Sequence, residues 1–254
     1  MKMDRLSLIK KYVLQKDFAS IDELCQISNR SKNTIRRDIN ELAAAGVLEK
    51  VYGGVKATKK QNLSLLSFSE RNEKNVREKQ HIGELAAKLI CDGDIIFIDS
   101  GTTTVNILDH LSHLSTVTVI TNNLYVFVKC LERPNINIIA LGGQLNRTTA
   151  SFSSHFCFLE NIERFNINKV FMAATSVSIE KGATHNSPEE FIIKKHLVEK
   201  GDTRYLLVDH SKFDQSALLT YAELTDFHSI ITDRTPPEPY VNFFAEHNIQ
   251  LLIK

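Results

Sequence analysis

Seven short apolar runs constrain the fold of this 254-residue chain more than any other feature of its sequence. Their residue ranges are 95–99, 116–121, 136–141, 169–174, 204–209, 229–232 and 249–253. Stretches with helical periodicity separate most of these runs, and a long helix is predicted from about Ser69 to Cys91. Strands that are apolar on both faces and alternate with helices are typical of a parallel sheet covered by helices on both sides. The sequence therefore predicts an α/β domain over most of the chain.

The segment Asp99-Ser100-Gly101-Thr102-Thr103 follows the first apolar run and leads into a helical stretch. Ligands of parallel sheets bind beyond the carboxyl ends of the strands. Free backbone N–H groups at a helix start, together with a glycine and hydroxyl side chains, suit a phosphate group. An ordinary helix cap has the same composition, and the segment is neither a Walker loop nor a dinucleotide-binding glycine motif. A phosphate cradle and a simple cap therefore both remain open from these residues alone.

Polar residues also follow three later runs. Asn122 follows the second run, Gly142 and Gly143 follow the third, and Lys212 follows the fifth. Lys212 can neutralise a phosphate or bond a sugar hydroxyl, although a plain surface ammonium group is equally ordinary. Several such residues at the carboxyl ends of strands favour a ligand site at that edge of the sheet.

The first 57 residues have a different pattern, that of three short helices followed by a hairpin. Ser20 and Glu23 form a capping-box pattern at the start of the second helix. A third helix begins after Ser31 and runs to about residue 45, with Ile35 and Ile39 on its inner face. Arginine and asparagine side chains read base edges, whereas lysine and threonine contact phosphates. The candidate DNA contacts in this helix are Ser31, Lys32, Asn33, Thr34, Arg36, Arg37 and Asn40.

A hairpin is predicted after the third helix, because an extended run at 47–51 leads into the tight turn Tyr52-Gly53-Gly54 and a second short run. Gly46 between the helix and the hairpin is expected to end the helix. Three helices, a basic leading end of the third helix and a glycine-containing wing predict a winged helix-turn-helix. The candidate DNA contacts in the wing are Lys50, Tyr52, Gly53 and Gly54.

The distribution of charge agrees with a nucleic-acid partner for the N-terminal part. Residues 1–60 carry 13 Lys and Arg against 7 Asp and Glu, whereas residues 61–254 carry 18 against 23. A basic segment attached to a mildly acidic domain indicates a polyanionic partner for that segment. For Arg36 or Arg37 alone, a solvated surface charge is an equally good explanation, so the prediction depends on the combination of features.

The stretch SKNTIRRDINELAAAGVLEKVYGGV (31–55) resembles the N-terminal signature of DeoR-type bacterial transcriptional regulators, except that many members carry arginine at the position of Lys50. The motifs around Asp99–Thr103, Thr121-Asn122, Gly142-Gly143 and Asp209–Lys212 resemble the effector domain of the same family, which is similar to ribose 5-phosphate isomerase. The resemblance covers nearly the whole chain. It implies a winged helix-turn-helix domain at 1–57, a linker at 58–72, and an effector and oligomerisation domain at 73–254.

The resemblance also implies a function, that of a homo-oligomeric repressor, dimer or tetramer, which binds operator DNA and is released by a phosphorylated sugar or sugar acid. EKVYGGV, FNINK and LLTYA resemble the inositol-catabolism repressor subgroup most, which implies a phosphorylated keto-sugar acid as effector. The effector-binding residues implied by the family are Asp99, Ser100, Gly101, Thr102, Thr103, Asn122, Gly142, Gly143 and Lys212.

Two other functions are compatible with parts of the sequence. A sugar-phosphate isomerase would use groups such as Asp99, Glu189, Asp209 and Lys212 for acid/base chemistry, but no pattern pairs them and a winged helix has no use in an isomerase. A constitutive DNA-binding protein would use its C-terminal domain only to form oligomers. Turnover of sugar phosphates would identify an isomerase. DNA binding that does not respond to sugar phosphates would identify a constitutive DNA-binding protein.

Composition predicts the remaining properties. The N-terminal residues contain no uninterrupted apolar segment, and no later stretch approaches 18 apolar residues, so we expect a cytoplasmic protein with no membrane partner. The four cysteines are far apart and form no C-x-x-C pair, and His110 and His113 have no further ligand at suitable spacing. We therefore expect neither disulfides nor a metal site, and no cofactor.

Overall fold

The structure of the protein is a computed structural model that describes residues 2–16, 18–44, 48–57, 66–153 and 162–253. The chain divides into two compact units, Met1–Leu63 and Ser64–Lys254, which we call the head and the body. Most of the expected linker, residues 58–65, and the expected helix stop at Gly46 lie outside the described residues. The predicted domain boundaries therefore stay predictions.

The described residues of the head form three helices and a three-stranded antiparallel sheet with the strand order β1-β3-β2. These elements are α1 (Lys2–Lys16), β1 (Phe18–Ser20), α2 (Ile21–Ser28), α3 (Lys32–Ala44), β2 (Leu48–Val51) and β3 (Gly54–Ala57). The capping box at Ser20 and Glu23 is confirmed, since each residue's side chain accepts a hydrogen bond from the other's backbone N–H. The β2-β3 hairpin is the predicted wing, whereas β1 is too short to give a periodic pattern.

The head has its own hydrophobic core. Ile9 and Val13 of α1 pack with Leu24 of α2 and with Ile35 and Ile39 of α3. Leu42, Leu48 and Val55 complete this cluster, so the hairpin is attached to the same core as the helices. The predicted inner face of the third helix is confirmed, and its opposite face is left to solvent.

All seven predicted runs form strands of one parallel sheet in the body, in the order β15-β14-β12-β9-β4-β5-β6. Its strands are β4 (Ile95–Ile98), β5 (Val117–Thr121), β6 (Ile136–Ala140), β9 (Lys169–Ala173), β12 (Thr203–Leu207), β14 (Ser229–Ile231) and β15 (Gln250–Leu252). The other strands of the body are β7 (Gln144–Asn146), β8 (Ser151–Ser153), β10 (Ser176–Ser178), β11 (Gly182–His185) and β13 (Leu219–Ala222). The helices among the described residues of the body are α4 (Phe68–Asn72), α5 (Val76–Ala87), α6 (Leu124–Cys130), α7 (Pro188–Lys200) and α8 (Glu238–Glu246), with 3₁₀ helices at Thr104–His110, His210–Lys212 and Leu224–Asp226.

Helices cover both faces of this sheet, as the apolar runs predicted. Phe97 of β4 belongs to a core shared with α7 and α8, whereas its neighbours Ile96 and Ile98 belong to a second core shared with α5 and α6. All three side chains are fully buried. Because successive residues of a strand point to opposite faces, a sheet covered on both sides requires apolar residues without alternation.

The predicted helix from about Ser69 to Cys91 is wrong, because the structure has two helices, α4 and α5, in its place. Asn75 between them has a left-handed backbone with φ of 49°. Its side-chain amide donates to Asp209 Oδ1 at 2.9 Å and to Ser211 Oγ at 3.3 Å. Helical periodicity does not reveal this break, since the residues that hold Asn75 are distant in the sequence.

Replacement of Asn75 tests this arrangement. Asn75→Ala should lower the free energy of unfolding by about 2 to 4 kcal/mol, because it removes two hydrogen bonds and places a Cβ residue in the left-handed region without side-chain compensation. Asn75→Gly removes the same bonds but accepts the backbone conformation, so it should cost about 1 kcal/mol less. Urea unfolding of both variants measures the difference. Equal costs would show that the left-handed backbone at this position is not under strain.

Candidate anion site and nucleic-acid interface

The predicted cradle lies at the topological switch point of the sheet. From β4 the chain proceeds through β5 and β6 on one side, and later through β9, β12, β14 and β15 on the other. Open α/β sheets bind ligands in the crevice that such a switch leaves beyond the strand ends. Asp99–Thr103 follows β4 directly and is thus at the position that the topology favours.

Asp99 is fully occupied by protein contacts. Its side chain is 1% exposed and forms a buried ion pair with Lys194 of α7. Its Oδ2 also accepts the Ala173 N–H at 2.8 Å, and its Oδ1 accepts the Ser100 N–H at 2.8 Å. These contacts make Asp99 a residue that holds the loop in place, and a direct ligand contact for it stays a prediction.

Ser100 connects the loop to a second buried carboxylate, Glu190 of α7. The hydroxyl of Ser100 donates to Glu190 Oε2 at 2.9 Å, and the hydroxyl of Ser151 donates to Oε1 at 2.5 Å. Burial raises the pKa of Glu190, but the neighbouring His185, the charge of Lys194 and the hydrogen bonds from the two hydroxyls outweigh this effect and lower the pKa below its ordinary value. Glu190 is therefore a fixed negative charge beneath the loop.

The imidazole of His185 completes this network as a neutral donor. Its Nε2 lies 3.1 Å from Glu190 Oε2, while its Nδ1 accepts the Ser187 N–H at 3.1 Å. A ring nitrogen that accepts a backbone N–H carries no proton, so the hydrogen is on Nε2. Burial also lowers the pKa of His185, in agreement with the neutral form.

Gly101 is required by packing. A Cβ at this position would lie 2.4 Å from the Cβ of Ala173 and 3.2 Å from Thr104 Oγ1. The glycine thus lets the loop pass over the end of β9, which is a reason independent of any ligand. A bulky residue at Gly101 would therefore disturb the loop even if no ligand approached it.

Three predicted residues keep unused polar atoms near the loop. Thr102 and Thr103 are buried, and neither hydroxyl is hydrogen-bonded to a described residue. Asn122, also buried, donates to the Phe152 carbonyl at 3.1 Å, but its Oδ1 has no partner among the described residues. Native proteins rarely leave a buried polar atom such as Asn122 Oδ1 unsatisfied, so this atom is a candidate ligand contact, as are the two threonine hydroxyls.

Gly142 and Gly143 lie at the end of β6, the edge strand of the sheet, and are exposed to solvent. A Cβ at Gly142 would meet no atom within 4 Å. No hydrogen bond among the described residues joins this pair to the loop after β4, so its role in a ligand site stays a prediction.

A cluster of three cations was not predicted as a whole. The charges of Lys212 and Arg71 lower the pKa of Lys79, the charge of Arg71 also lowers the pKa of Lys212, and Asp209 raises the pKa of both lysines. We call these four residues the cationic cluster. Lys79 is 4% exposed, and burial, with the neighbouring charges of Lys212 and Arg71, lowers its pKa to about 8.

The cations of this cluster outnumber its anions. Asp209 remains ionised, since Lys212 and hydrogen bonds from Ser211 and Asn75 outweigh the effect of burial and lower its pKa. Arg71 and Lys212 have no carboxylate within 4.0 Å among the described residues, and Arg71 Nη2 is buried without a hydrogen-bond partner. Asp209 Oδ2 is likewise buried without a partner. The cluster therefore has the composition of an anion site with one acceptor for a hydroxyl group.

Arg71 joins the cationic cluster to the loop after β4. Burial lowers the pKa of its guanidinium group, while the charges of Glu190 and Asp99 act in the opposite sense. The same guanidinium group lowers the pKa of Lys79 and of Lys212. The charge of Arg71 thus acts both on the cationic cluster and on the carboxylates at the loop after β4. The two groups of residues form one polar region at the carboxyl edge of the sheet.

A feature of the sequence could have identified the charged helix residues that the motifs did not predict. Lys79, Ile82 and Ala86 share the inner face of α5, and Glu190, Lys194 and Leu197 share the inner face of α7. Charged side chains at the buried positions of an amphipathic helix are rare unless they are paired or functional. The position of these charged residues on the inner face of each helix, rather than any sequence motif, indicates a functional or structural role for them.

The second candidate site is the outer face of α3 with the adjoining wing. Ser31, Lys32, Asn33, Arg36, Arg37, Asn40, Lys50, Tyr52 and Gly53 are exposed there. Ser31 also caps α3, because its Oγ accepts the Thr34 N–H at 3.4 Å, and Lys32 pairs with Asp22 at 2.7 Å. These surface residues satisfy the first requirement for DNA contacts.

Two predicted DNA contacts are less accessible. Thr34 is half-buried against the Ser31 cap. Gly54 is buried, and a Cβ there would lie 2.3 Å from the Ala19 carbonyl oxygen. Gly54 therefore permits the pairing of β1 with β3, whereas Gly53, with φ of 82° and open space around it, forms the turn. DNA contacts by Thr34 and Gly54 stay predictions.

Among the described residues, no helix is long and apolar enough to cross a membrane, and no group of three or more His, Cys, Asp or Glu side chains could hold a metal ion.

Comparison with known proteins identifies relatives for both units. Residues 5–61 match the DeoR-like helix-turn-helix domain, and residues 74–234 match the DeoR C terminal sensor domain. The chain is 41% identical over 252 residues to the HTH-type transcriptional regulator IolR of Bacillus subtilis (strain 168), with 98% of each chain covered. It is 28% identical to the HTH-type transcriptional repressor GlcR of the same organism, over 98% of this chain and 95% of that one.

A solved structure of D-ribose-5-phosphate isomerase in complex with phospho-erythronic acid is similar at 17% identity and a TM-score of 0.40. The match covers 53% of this chain and 52% of that chain.

The packing role of Gly101 is testable by a double-mutant cycle. Gly101→Ala should destabilise the body by about 1 to 3 kcal/mol, because the new methyl group overlaps Ala173. In an Ala173→Gly background, the same substitution should cost less than about 1 kcal/mol, since the overlapping atom is gone. Urea unfolding of the four proteins gives the coupling energy. Additive costs would exclude the contact as the reason for the glycine.

The buried Lys79 predicts a pH dependence of anion binding. The free protein has a Lys79 pKa of about 8, below the ordinary value because of burial, and a bound phosphate would favour the charged form. Affinity should therefore be full below pH 8 and decline above it, by about 10-fold between pH 7 and pH 9. Calorimetric titration with 6-phosphogluconate measures this. A Lys79→Met variant should show weaker binding without that decline, and an unchanged decline would assign the pH dependence to another group.

Proposed function

Because this chain belongs to the DeoR family of transcriptional regulators, we propose that it represses an operon of sugar or inositol catabolism and leaves its operator when a phosphorylated sugar or sugar acid binds the body. The observation that carries the proposal is the cationic cluster, in which Arg71 and Lys212 are without a carboxylate partner among the described residues. Repression is further supported by the similarity to GlcR, which is named as a repressor.

A phosphate group suits the cationic cluster better than a neutral ligand does. Burial of cations without counter-charge costs several kcal/mol, and a phosphate monoester carries between about one and a half and two negative charges at pH 7. Arginine binds two phosphate oxygens in a fork, whereas lysine contributes a point charge. In the proposed complex, Arg71, Lys79 and Lys212 neutralise the phosphate.

The remainder of the ligand is proposed to be a polyol. Toward Asp99 the same region offers the free hydroxyls of Thr102 and Thr103 and the unpaired Oδ1 of Asn122. Asp209 Oδ2 adds a further acceptor for a sugar hydroxyl. Neutral donors and acceptors of this kind recognise hydroxyl groups by direction, which distinguishes sugars from other phosphates.

The resemblance to the inositol-catabolism repressor subgroup narrows the proposed ligand to a phosphorylated keto-sugar acid. The fixed charges of Asp99 and Glu190 disfavour a second acidic group beneath the loop after β4. In the proposed complex, the acidic group of the ligand is therefore directed toward Arg71 rather than toward Glu190.

Release from DNA follows by linkage. In the proposed mechanism, the outer face of α3 contacts DNA, and a homo-oligomer places two heads on half-sites about 34 Å apart, or a multiple of that. If the ligand binds the DNA-free arrangement more tightly than the DNA-bound one, then DNA weakens ligand binding by the same factor, typically about 5- to 150-fold.

An isomerase function has less support from the site. The carboxylate of Asp99 is occupied by Lys194 and by backbone N–H groups, so it is not free to act on a substrate. Among the described residues Asp209 has a free Oδ2, but despite burial its pKa is lowered by Lys212 and by hydrogen bonds from Ser211 and Asn75, which makes it a weak base. Incubation of the protein with ribose 5-phosphate and fructose 6-phosphate, followed by product analysis, tests this alternative directly. Turnover at enzymatic rates would overturn the proposal.

A pair of variants separates the two proposed sites. Lys212→Ala should retain operator affinity but raise the concentration of sugar phosphate needed for release by at least about 10-fold, because one phosphate contact is lost. Arg36→Ala should cost about 1 to 3 kcal/mol of operator binding while the thermal stabilisation by sugar phosphate is unchanged. Fluorescence anisotropy on operator DNA and thermal unfolding with ribose 5-phosphate, 6-phosphogluconate and gluconate provide the two readouts.

The outcome of this experiment is unambiguous in either direction. Stabilisation by 6-phosphogluconate but not by gluconate would support a phosphate site, and normal release of Lys212→Ala would remove the cationic cluster from the mechanism. If no phosphorylated sugar changed either stability or operator affinity, the body would serve only to form oligomers.

A further inference from the structure

A two-point ion pair in the head joins α1 to α3. Arg5 Nε lies 2.6 Å from Asp38 Oδ2, and Arg5 Nη2 lies 3.0 Å from Asp38 Oδ1. The side chain of Asp38 is 3% exposed and that of Arg5 is 17% exposed. A fork of two parallel hydrogen bonds fixes the direction of both side chains as well as their distance. The contact therefore restrains the orientation of α3 relative to α1.

Asp38 is placed where orientation matters most for DNA contacts. It directly follows Arg36 and Arg37, whose side chains are exposed on the outer face of α3. It precedes Ile39, which packs in the head core with Ile35. Apolar contacts of that kind tolerate small rotations of a helix about its axis, whereas a two-point hydrogen-bonded contact does not. Base recognition by arginine requires placement within about 0.5 Å.

The charge of Asp38 also requires compensation. A carboxylate on the helix that enters a groove lies between two rows of phosphates, and it weakens binding unless it is neutralised. None of the positions three or four residues from Asp38 on α3 is basic, since Thr34, Ile35, Glu41 and Leu42 occupy them. Arg5 of α1 supplies the compensating charge on the inner side of the helix, away from the exposed basic residues.

We propose that Arg5 is a positioning residue for DNA recognition, which sets the rotation of α3 through Asp38 and so determines sequence discrimination without itself reading a base. The proposal depends on the DNA-binding function of the family and is independent of the ligand proposed for the body. It differs from a purely stabilising role in its consequence for DNA. Loss of stability lowers binding to every duplex, whereas loss of orientation lowers binding to the preferred sequence alone.

Arg5→Lys separates these two roles, because lysine keeps the charge but cannot form the fork. The probes are a duplex enriched from a random library by the wild-type full-length chain and a shuffled duplex of the same composition. Affinity for the enriched duplex should fall about 10-fold, while affinity for the shuffled duplex should stay within about twofold of wild type. The slope of log affinity against log salt concentration should also stay within about twofold of the wild-type slope. Lys16→Arg, another exchange of one basic residue for another on α1, is the matched control and should change neither affinity.

Asp38→Asn gives a second, opposite readout. Asparagine keeps one acceptor for Arg5 but removes the negative charge from α3, so affinity for the shuffled duplex should rise by about twofold. Affinity for the enriched duplex should still fall relative to the shuffled one by at least about threefold, because the fork is reduced to a single bond. A variant that only unfolds the head lowers both affinities, so this pattern cannot arise from lost stability.

The two variants together decide the question. If the ratio of the two affinities changes by less than about threefold in both, or if both affinities fall in parallel with the thermal stability of the protein, Arg5 is a structural residue and the proposal is wrong. A fall of the ratio in both variants, with Lys16→Arg unchanged, establishes the positioning role.

Discussion

The buried ion pair between Asp99 and Lys194 is the contact on which the body's candidate site depends. It joins the end of β4 to α7 at the point where the sheet changes direction, and the same carboxylate accepts the backbone N–H groups of Ala173 and Ser100. Removal of either charge would leave the other buried and unpaired, at a cost of about 3 to 5 kcal/mol. With this pair in place, Glu190 lies beneath Ser100, and the hydroxyls of Thr102 and Thr103 remain unused.

The role of each charged side chain follows from the partners that it has within the protein. Asp99, Glu190 and Lys194 satisfy one another or nearby hydroxyls, and so they build the site. Arg71 and Lys212 have no such partners among the described residues, and so they are available to an anion. Position at a strand end does not distinguish the two groups, because Asp99 and Lys212 both follow strands. The two groups are distinguished by whether their polar atoms are already hydrogen-bonded or ion-paired within the protein.

Sequence patterns predicted the seven sheet strands, the covered faces of the sheet and the winged helix-turn-helix, because each depends on local periodicity or on a cap such as Ser20 with Glu23. They did not predict the break at Asn75, whose partners Asp209 and Ser211 are distant in the chain. They also did not identify Arg71, Lys79, Glu190 and Lys194, which belong to helices rather than to strand ends. The family resemblance supplied the phosphate-binding expectation, but only contacts in three dimensions separate residues that hold the loop from residues that remain unpaired.

The position of Arg71 in the chain has a consequence for ligand binding. Arg71 belongs to α4, which begins at Phe68. Two contacts of Phe68 anchor this helix: its backbone N–H donates a hydrogen bond to the Thr148 carbonyl at 2.7 Å, and its ring stacks on the ring of Tyr125. In the proposed complex, a ligand bound at Arg71 is therefore held by α4, whose position depends on these anchoring contacts. Because the guanidinium group and the anchoring contacts belong to one short helix, occupation of the ligand site and the anchoring of α4 are energetically linked in that complex.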